Sequence, residues 1–217
     1  MKYYPLLLVA FGICACTHKS VPKGAGLAWE NTVQQIPGKI ECEHYNSGGE
    51  GVAYHDTDAI NNGSGKLNPA NGTFLNEFRM KDGVDISYTK TNDIDDNKYN
   101  KVQPEKNNLY VGWTEPSEWI KYYVNVVESG IYDVGLMYTA NGDGLISLEI
   151  DGKLIAENLK VVSTNDPNDP VEWRQWHHWN KAEALARVKL KKGVHILTLK
   201  TVAHGNMNYD YLEFRKH

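Results

Sequence analysis

The stretch Leu109-Tyr-Val-Gly-Trp-Thr-Glu-Pro-Ser-Glu-Trp-Ile-Lys-Tyr-Tyr-Val-Asn-Val126 decides the fold of this 217-residue chain. It predicts a short strand that ends at Trp113, a turn over residues 114–117, and a longer second strand. In the second strand apolar and aromatic side chains alternate with polar ones, which indicates one face on a core and one face in water. The apolar face consists of Ile120, Tyr122, Val124 and Val126. Trp113 lies at the mouth of the turn, where a large aromatic ring is more useful to a ligand than to a core; the alternative is an ordinary core tryptophan.

The remaining segments repeat this pattern of short strands and turns. Further predicted strands are Lys39–Tyr45, Val84–Tyr88, Ile131–Ala140, Leu145–Ile150, Lys153–Glu157, Val188–Leu190, Val194–Val202 and Asn208–Phe214. Asp151-Gly152 predicts a tight type I′ hairpin turn, and residues 181–187 are the only candidate for a short helix. Turns recur at intervals of about 8–12 residues, which predicts an all-β sandwich of two antiparallel sheets.

Two long polar segments interrupt the strands. Residues 46–72 are rich in glycine and asparagine, and residues 91–108 are polar and charged. Long loops in a compact domain are typical of a functional site or an insertion.

The first fifteen residues predict a bacterial lipoprotein signal peptide. Lys2 precedes the apolar run Leu6–Phe11, which is too short to span a bilayer. Ile13-Cys14-Ala15-Cys16 then resembles a lipobox, which places cleavage before Cys16 and a lipid on its sulfur. The alternative is an ordinary signal peptide cleaved nearby.

This prediction divides the chain into a signal peptide at residues 1–15, a lipid-anchored tether at 16–35 and one folded domain at 36–217. Acyl chains on Cys16 would hold the domain on a membrane surface without spanning it. We therefore expect a protein of the bacterial cell envelope, on the outer membrane, on a face that the sequence leaves open.

Composition narrows the class of ligand. The net charge of −4 and the pI near 6.1 argue against nucleic acid, because proteins that bind it usually carry a basic patch. Six Trp and thirteen Tyr stand against four Phe, so most aromatic rings have a polar group. Such rings suit a surface that binds an amphipathic ligand. Cys42 is the single cysteine beyond residue 16, and we expect a buried thiol there.

Eight segments occur in the order found in family 6 carbohydrate-binding modules. They are Ile40–Glu43, Gly51–Asp56, Val111–Trp119, Asn125–Tyr132, Ile146–Gly152, Trp173–Trp176, Lys192–Leu199 and Asn208–Phe214. The chain after residue 36 therefore resembles this family. The resemblance implies a β-jelly roll, sugar bound by the loops at one end, and a structural calcium ion.

The resemblance also implies the sugar-binding residues. The two rings that hold a pyranose fall on Trp113 and Trp173, and the asparagine that hydrogen-bonds the sugar falls on Asn208. A pyranose has an apolar C–H face that suits an indole and a rim of hydroxyls that suits an amide. Tyr54 and His55 are candidate rim contacts from the long loop segment.

Other residues near these motifs receive structural roles. Strand alternation places Asn208 on one face with Asp210, Leu212 and Phe214, with the asparagine emerging at the loop end. The resemblance assigns Trp119 and Trp176 to packing and leaves Trp179 open between packing and binding.

The calcium site implied by the resemblance consists of Glu41, Glu43 and Asp210, with backbone carbonyls completing it. Carboxylate oxygens suit Ca2+, and the two glutamates point the same way from one predicted strand. The alternative is that both glutamates face solvent. Residues 93–97 imitate the start of an EF-hand loop, but Lys98 replaces its glycine, so we interpret this segment as a solvated loop.

The main interpretation is non-catalytic polysaccharide or oligosaccharide binding by an envelope lipoprotein that works beside separate glycoside hydrolases. The alternative is an enzyme, a glycosidase, which would need two carboxylates placed across the scissile bond. Candidate carboxylates are Glu50, Asp56, Asp58, Glu115 and Glu172. A third alternative is a structural or protein-binding lipoprotein, which would not depend on Trp113 or Trp173.

Overall fold

The computed structural model describes residues 24–217, so the predicted signal peptide and Cys16 lie outside the described residues. The first strands are β1 (Gln34–Ile36), β2 (Gly38–Glu41), β3 (Tyr54–His55), β4 (Ser64–Gly65), β5 (Asn68–Pro69), β6 (Ile86–Tyr88) and β7 (Leu109–Thr114). The others are β8 (Trp119–Val126), β9 (Gly130–Ala140), β10 (Gly144–Ile150), β11 (Lys153–Val161), β12 (Asn180–Leu190), β13 (Gly193–Ala203) and β14 (Met207–Lys216). One short helix, α1 (Phe74–Glu77), and 3-10 turns at Trp29–Asn31 and Glu172–Arg174 complete the elements.

Two six-stranded sheets stack face to face, which confirms the all-β sandwich prediction. The first sheet has the order β1-β8-β13-β10-β11, with β3 also paired to β8. The second has the order β12-β9-β14-β7-β6, with β2 also paired to β14. Neighbours within both sheets are antiparallel except β1 and β8, which are parallel. Strands β7 and β8, predicted from one stretch, belong to different sheets and so connect the two layers.

The core lies between the sheets and follows the predicted alternation. The apolar face of β8 lies in the main hydrophobic cluster, as do Leu136 and Phe214 of the second sheet. Asp151 and Gly152 both have positive φ, as the predicted turn between β10 and β11 requires. Among residues 24–217 no helix is long and apolar enough to cross a membrane.

Two local predictions are wrong. Residues 181–187 form part of β12, because pairing with β9 overrides their weak helical preference. The predicted strand Lys39–Tyr45 ends at Glu41 and continues as a turn, although Cys42 is buried as expected.

A register shift in β14 changes which side chains face the core. The pairing with β9 skips a residue between Tyr209 and Tyr211, so Asp210 forms a β-bulge. The core side chains of β14 are Met207, Tyr209, Leu212 and Phe214. The prediction that Asn208 shares a face with Leu212 is therefore wrong, and Asn208 lies on the outer face of the second sheet.

The loop of residues 91–108 packs on that outer face. A second hydrophobic cluster there consists of Tyr110, Met137, Trp179 and Tyr211. Trp179 is fully buried, and its backbone amide donates to Oδ1 of Asn100 at 2.9 Å. The ambiguity over Trp179 is thereby resolved in favour of packing.

Candidate functional site

The candidate site is a cleft of about 500 Å³ at the end of β7, with mainly apolar walls. We call it the aromatic cleft. Its walls are Trp113, Trp173 and Trp176 with Leu67, Ile94 and Tyr110, and its polar lining is Lys90, Asp95 and His177. The structure thus brings together Trp113 and Trp173, which lie sixty residues apart in the sequence. A cleft with several indole rings can stack on the apolar face of a sugar.

Trp113 is held by an unusual backbone conformation. Its φ of 48° lies in the left-handed region, which is strained for a bulky residue. Its backbone amide donates to Oδ1 of Asn208 at 2.9 Å. The hydroxyl of the next residue, Thr114, donates to the carbonyl of Met207 at 3.0 Å. These bonds fix the end of β7 and the direction of the half-buried indole.

Asn208 does not line the aromatic cleft, so the prediction that its amide meets sugar hydroxyls has no support here. The residue is fully buried. Its Nδ2 donates to Oγ1 of Thr139 at 2.8 Å and to Nδ1 of His177 at 3.0 Å, while Oδ1 accepts from Trp113. Asn208 is buried because it lies on the outer face of β14, below the residues that line the cleft. Asn208 acts as a positioning residue for Trp113 and His177.

The hydrogen-bond chain continues from Asn208 to a buried carboxylate. Because Nδ1 of His177 accepts, Nε2 donates, and it contacts Oδ1 of Asp95 at 2.7 Å. Asp95 also accepts from Nε1 of Trp179 at 2.8 Å and from the amide of Lys90 at 2.7 Å. Burial by itself would raise the pKa of Asp95, but the bond from His177 and the other hydrogen bonds outweigh it and lower that pKa. The interpretation of this loop as solvated is wrong at Asp95.

Trp173 and Trp176 extend from a short turn. Trp173 lies in the 3-10 turn Glu172–Arg174, and Trp176 follows two residues after its end. Both residues line the cleft. Trp173 is 57% exposed and Trp176 is half-buried. The assignment of Trp176 to packing is therefore wrong, because its ring is a wall of the cleft.

The turn that carries these rings is anchored by buried charges. Arg174 donates from Nε and Nη2 to the two oxygens of Asp169, at 2.6 and 2.8 Å. His178 contacts the same carboxylate at 2.9 Å, and Arg174 also bonds the carbonyl of Asp93. The bonds from Arg174 hold the pKa of Asp169 well below its usual range. An exposed ring on an anchored turn needs little ordering when a ligand binds.

Tyr54 and His55 do not reach the aromatic cleft. Tyr54 is 5% exposed, and its hydroxyl accepts from the amide of Gly83 at 2.9 Å. His55 contacts Glu50 at 2.6 Å and lies beside Trp119, on the first sheet. Both belong to β3, which pairs with β8, so the structure places neither at the rim of this cleft, and their contact with carbohydrate stays a prediction.

A second depression of about 350 Å³ adjoins the aromatic cleft and shares Trp113 and Leu67 with it. We call it the acidic groove. Its carboxylates are Asp56, Asp58, Asp85, Glu115 and Glu118. Burial and the neighbouring Glu118 raise the pKa of Asp56 to about 7, and burial raises that of Asp85 to about 6. No lysine or arginine of residues 24–217 lines this groove.

The predicted calcium residues lie where β2 ends against β14: Glu41 is the last residue of β2, Glu43 follows in the turn, and Asp210 is the bulged residue of β14. Oε2 of Glu41 and Oε2 of Glu43 are buried without a hydrogen-bond partner. Burial and Glu41 raise the pKa of Asp210 to about 8, and burial raises the pKa of Glu43 well above its usual value. Orphaned carboxylate oxygens suit a calcium ion. Among residues 24–217, however, no three His, Cys, Asp or Glu side chains are already arranged to hold a metal.

Several lining residues have no signal in the sequence pattern. Leu67 and Ile94 come from the long polar segments, and Lys90 lies between the predicted strand Val84–Tyr88 and the second of these segments. Periodicity carries no information at these positions. The three-residue spacing of the tryptophans does not separate Trp176 from Trp179, since Trp176 lines the cleft and Trp179 is fully buried.

Comparisons with known proteins agree with this architecture. The sequence model of the family described as "Carbohydrate binding module (family 6)" matches residues 85–216. None of the curated proteins matches the chain.

Two solved structures are similar in fold. CsCBM6-3 from Clostridium stercorarium, in complex with cellobiose, has 14% identity and a TM-score of 0.50, over 86% of this chain and 98% of that one. A glycoside hydrolase family 43 arabinoxylan arabinofuranohydrolase from Bacillus subtilis, in complex with cellotetraose, has 17% identity and a TM-score of 0.50. The match covers 86% of this chain and 28% of that enzyme. At these identities the likeness concerns the fold alone.

Proposed function

The chain belongs to family 6 of the carbohydrate-binding modules, and from this premise we propose that its aromatic cleft binds a polysaccharide or oligosaccharide. Membership of this family implies carbohydrate binding without catalysis. The proposal adds the place and the mode of binding: sugar rings stack on indoles in the cleft, at the end of β7.

One observation carries this proposal, the convergence of Trp113, Trp173 and Trp176 on one cleft. The end of β7 carries Trp113, and the turn around residues 172–176 carries the other two rings. The hydrogen bonds of Asn208 and of Arg174 hold these two backbone segments in place. An array of rings that is ordered before binding saves conformational entropy. Because the cleft is open and much of a sugar's rim stays in water, we expect modest affinity.

Affinity electrophoresis tests this function. The full chain is run through gels that contain soluble polysaccharides, including β-glucan, xylan and agarose-like polymers, and reducing-sugar release is measured on the same polymers. We expect retardation by at least one polymer without sugar release. Trp113→Ala and Trp173→Ala should each reduce the retardation.

Trp119→Ala is the matched control, because Trp119 is a half-buried tryptophan outside the aromatic cleft. Loss of binding in this variant alone would move the site to the face of the first sheet. A folded protein that no polymer retards would favour a protein-binding role. Sugar release would overturn the non-catalytic assignment.

We also propose that Glu41, Glu43 and Asp210, with backbone carbonyls, hold a structural calcium ion. The two orphaned buried oxygens support it, because a divalent cation would supply the partner that they lack. Excess Ca2+ should raise the melting temperature by roughly 5 °C or more relative to EDTA. Glu43→Gln should reduce that shift, and Glu213→Gln, on the neighbouring surface, should not. An equal melting temperature in Ca2+ and EDTA would contradict the site.

The attachment of this domain to a membrane is a separate proposal. We propose that Cys16 is lipidated and anchors the domain at the bacterial outer membrane, beside separate glycoside hydrolases. Mass spectrometry of the mature protein should find acyl chains on Cys16, and Cys16→Ser should release the protein from the membrane fraction. Unmodified Cys16 on a secreted protein would contradict the anchor.

A further inference from the structure

Lys90 is the one lysine or arginine of residues 24–217 that lines the aromatic cleft. Its ammonium forms no ion pair with a described carboxylate. Nζ donates one long hydrogen bond, 3.4 Å, to Oγ of Ser87 and lies 4.5 Å from the ring centre of Tyr88. Burial lowers the pKa of Lys90, although Asp95 opposes this effect. A half-buried ammonium with unused N–H groups therefore lines a cleft walled by indoles.

The nearest carboxylate does not neutralise this ammonium by contact. Asp95 accepts at Oδ1 from His177 and Trp179, and at Oδ2 from the backbone amide of Lys90. Both of its oxygens are thus used by the network below the cleft. The other polar lining group, His177, donates to Asp95 and accepts from Asn208. Besides the indole N–H groups of the walls, the capacity that remains for a ligand in the cleft is the positive charge on Nζ of Lys90.

A carboxylate is the group that matches this capacity best. Hydrogen bonds between an ammonium and a carboxylate are roughly twice as strong as neutral ones. They gain further where apolar walls exclude water. Since the indoles suit a sugar ring, a ligand that satisfies both features is a sugar that carries a carboxylate, a uronic acid.

The acidic groove limits how many such sugars the ligand can carry. It shares Trp113 and Leu67 with the aromatic cleft, so a glycan that leaves the cleft on that side meets five carboxylates. A second uronate there would face like charges in a lining that contains no lysine or arginine among residues 24–217, although Lys66 contacts Asn62 of that lining at 3.1 Å. The expected ligand is therefore neutral except at one position.

This inference rests on the proposed sugar-binding function of the aromatic cleft. We propose that Lys90 is a specificity residue that selects one uronic acid, carried by an otherwise neutral glycan, in the aromatic cleft. Polyuronates are excluded by the acidic groove.

Isothermal titration calorimetry of the full chain tests the proposal with four ligands. They are a neutral oligosaccharide, the same backbone with one uronate branch, that branched compound with its carboxyl reduced to an alcohol, and a polyuronate oligomer. We expect the single-uronate compound to bind about tenfold tighter than its reduced form. The preference should shrink as salt rises from about 0.05 M to 0.5 M.

Lys90→Met should lower the affinity for the single-uronate compound to that for its reduced form, so that the preference is lost. Lys90→Arg, which keeps the charge, should retain part of the preference. Lys98→Met is the matched control, since Lys98 is exposed in the same loop and lies outside the cleft. It should bind like the natural chain.

Failure of this inference is distinguishable from failure of the proposed function. Equal binding of the uronate and reduced compounds, or a preference that survives Lys90→Met, overturns the role of Lys90 while sugar binding stands. If the polyuronate binds more tightly than the other three ligands, the proposal that the ligand carries only one uronic acid is overturned. A folded protein that binds none of the four ligands or the gel polymers overturns sugar binding itself.

Discussion

Asp95 under the aromatic cleft and Asp56 in the acidic groove are carboxylates on opposite sides of Trp113, and their pKa values shift in opposite directions. Asp95 is 2% exposed and accepts three hydrogen bonds, so its pKa is lowered. Asp56 is half-buried, accepts from the amide of Asp58 at 2.8 Å and lies near Glu118, so its pKa rises to about 7. The more buried carboxyl is the one that stays ionised.

This difference shows that the charge of the neighbouring groups, and not depth alone, decides whether a buried carboxyl stays ionised. The main partner of Asp95 is the hydrogen-bond donor His177, whereas Asp56 faces the carboxyl of Glu118. The number of hydrogen bonds does not explain the contrast, because Glu118 also accepts three and burial still raises its pKa. Among residues 24–217 the acidic groove is lined by several carboxyls and by no lysine or arginine, so its charge responds to pH or to a ligand. The following predictions test this contrast, from the largest expected effect to the smallest.

Removal of the Asp95 carboxylate should have the largest effect. Asp95→Ala leaves the donors of His177, Trp179 and Lys90 unpaired, which should lower the free energy of unfolding by about 3 kcal/mol or more. Urea denaturation followed by tryptophan fluorescence measures this. Asp96→Ala, at the exposed neighbouring aspartate, should change stability by less than about 0.5 kcal/mol. Equal stability of the two variants would break the contrast.

Asn208→Ala should lower the free energy of unfolding by about 2 kcal/mol. The substitution leaves the buried hydrogen-bonding groups of Trp113, Thr139 and His177 without their partner. It should also weaken sugar binding about tenfold, since Trp113 loses its support. Calorimetry and urea denaturation measure the two effects. In a double-mutant cycle the binding losses of Asn208→Ala and Trp113→Ala should not add. Full additivity would show that Asn208 does not act through Trp113.

Trp173→Ala should weaken binding about tenfold and leave stability nearly unchanged, because the ring is 57% exposed. Trp173→Phe should recover part of the affinity by restoring an aromatic face. Calorimetry with the best ligand and the melting temperature separate the two effects. A large drop in melting temperature would mean that Trp173 packs in the fold and does not serve as a platform.

The smallest effect concerns the pH dependence of stability. The pKa of Asp56 is higher in the folded state than in the unfolded chain, so its protonated form favours folding. Its contribution is present below about pH 4 and is lost as pH rises to about 7. Asp95 has the opposite sign, and its contribution is lost as pH falls below its ordinary pKa. In saturating Ca2+, Asp56→Asn should therefore stabilise the protein more at pH 8 than at pH 5.

That measurement compares urea midpoints of Asp56→Asn and the natural chain at both pH values. An equal difference at pH 5 and pH 8 would show that Asp56 titrates normally. The exposed Asp58→Asn serves as the control for removing one negative charge from the same groove.

Sequence alone determined the sandwich, because each strand encodes its buried face locally. The alternation of Ile120 to Val126 and the turn at Asp151-Gly152 depend on neighbours in the chain, and both predictions are confirmed. The family resemblance, and not the strand pattern, implied that Trp113 and Trp173 share one cleft, and both residues line it. The strand alternation and the turn are readable from the sequence because period-two patterning and turn chemistry are short-range properties.

Only the tertiary structure decided the details of the site. The bulge at Asp210 reverses the facing of Asn208, and no local pattern announces a one-residue register shift. Pairing of β3 with β8 moves Tyr54 and His55 away from the cleft, and loop packing brings Lys90, Asp95 and Trp176 into it. Alternation predicts which way a side chain points within a strand. Which strands and loops become neighbours depends on long-range packing, which the sequence pattern does not carry.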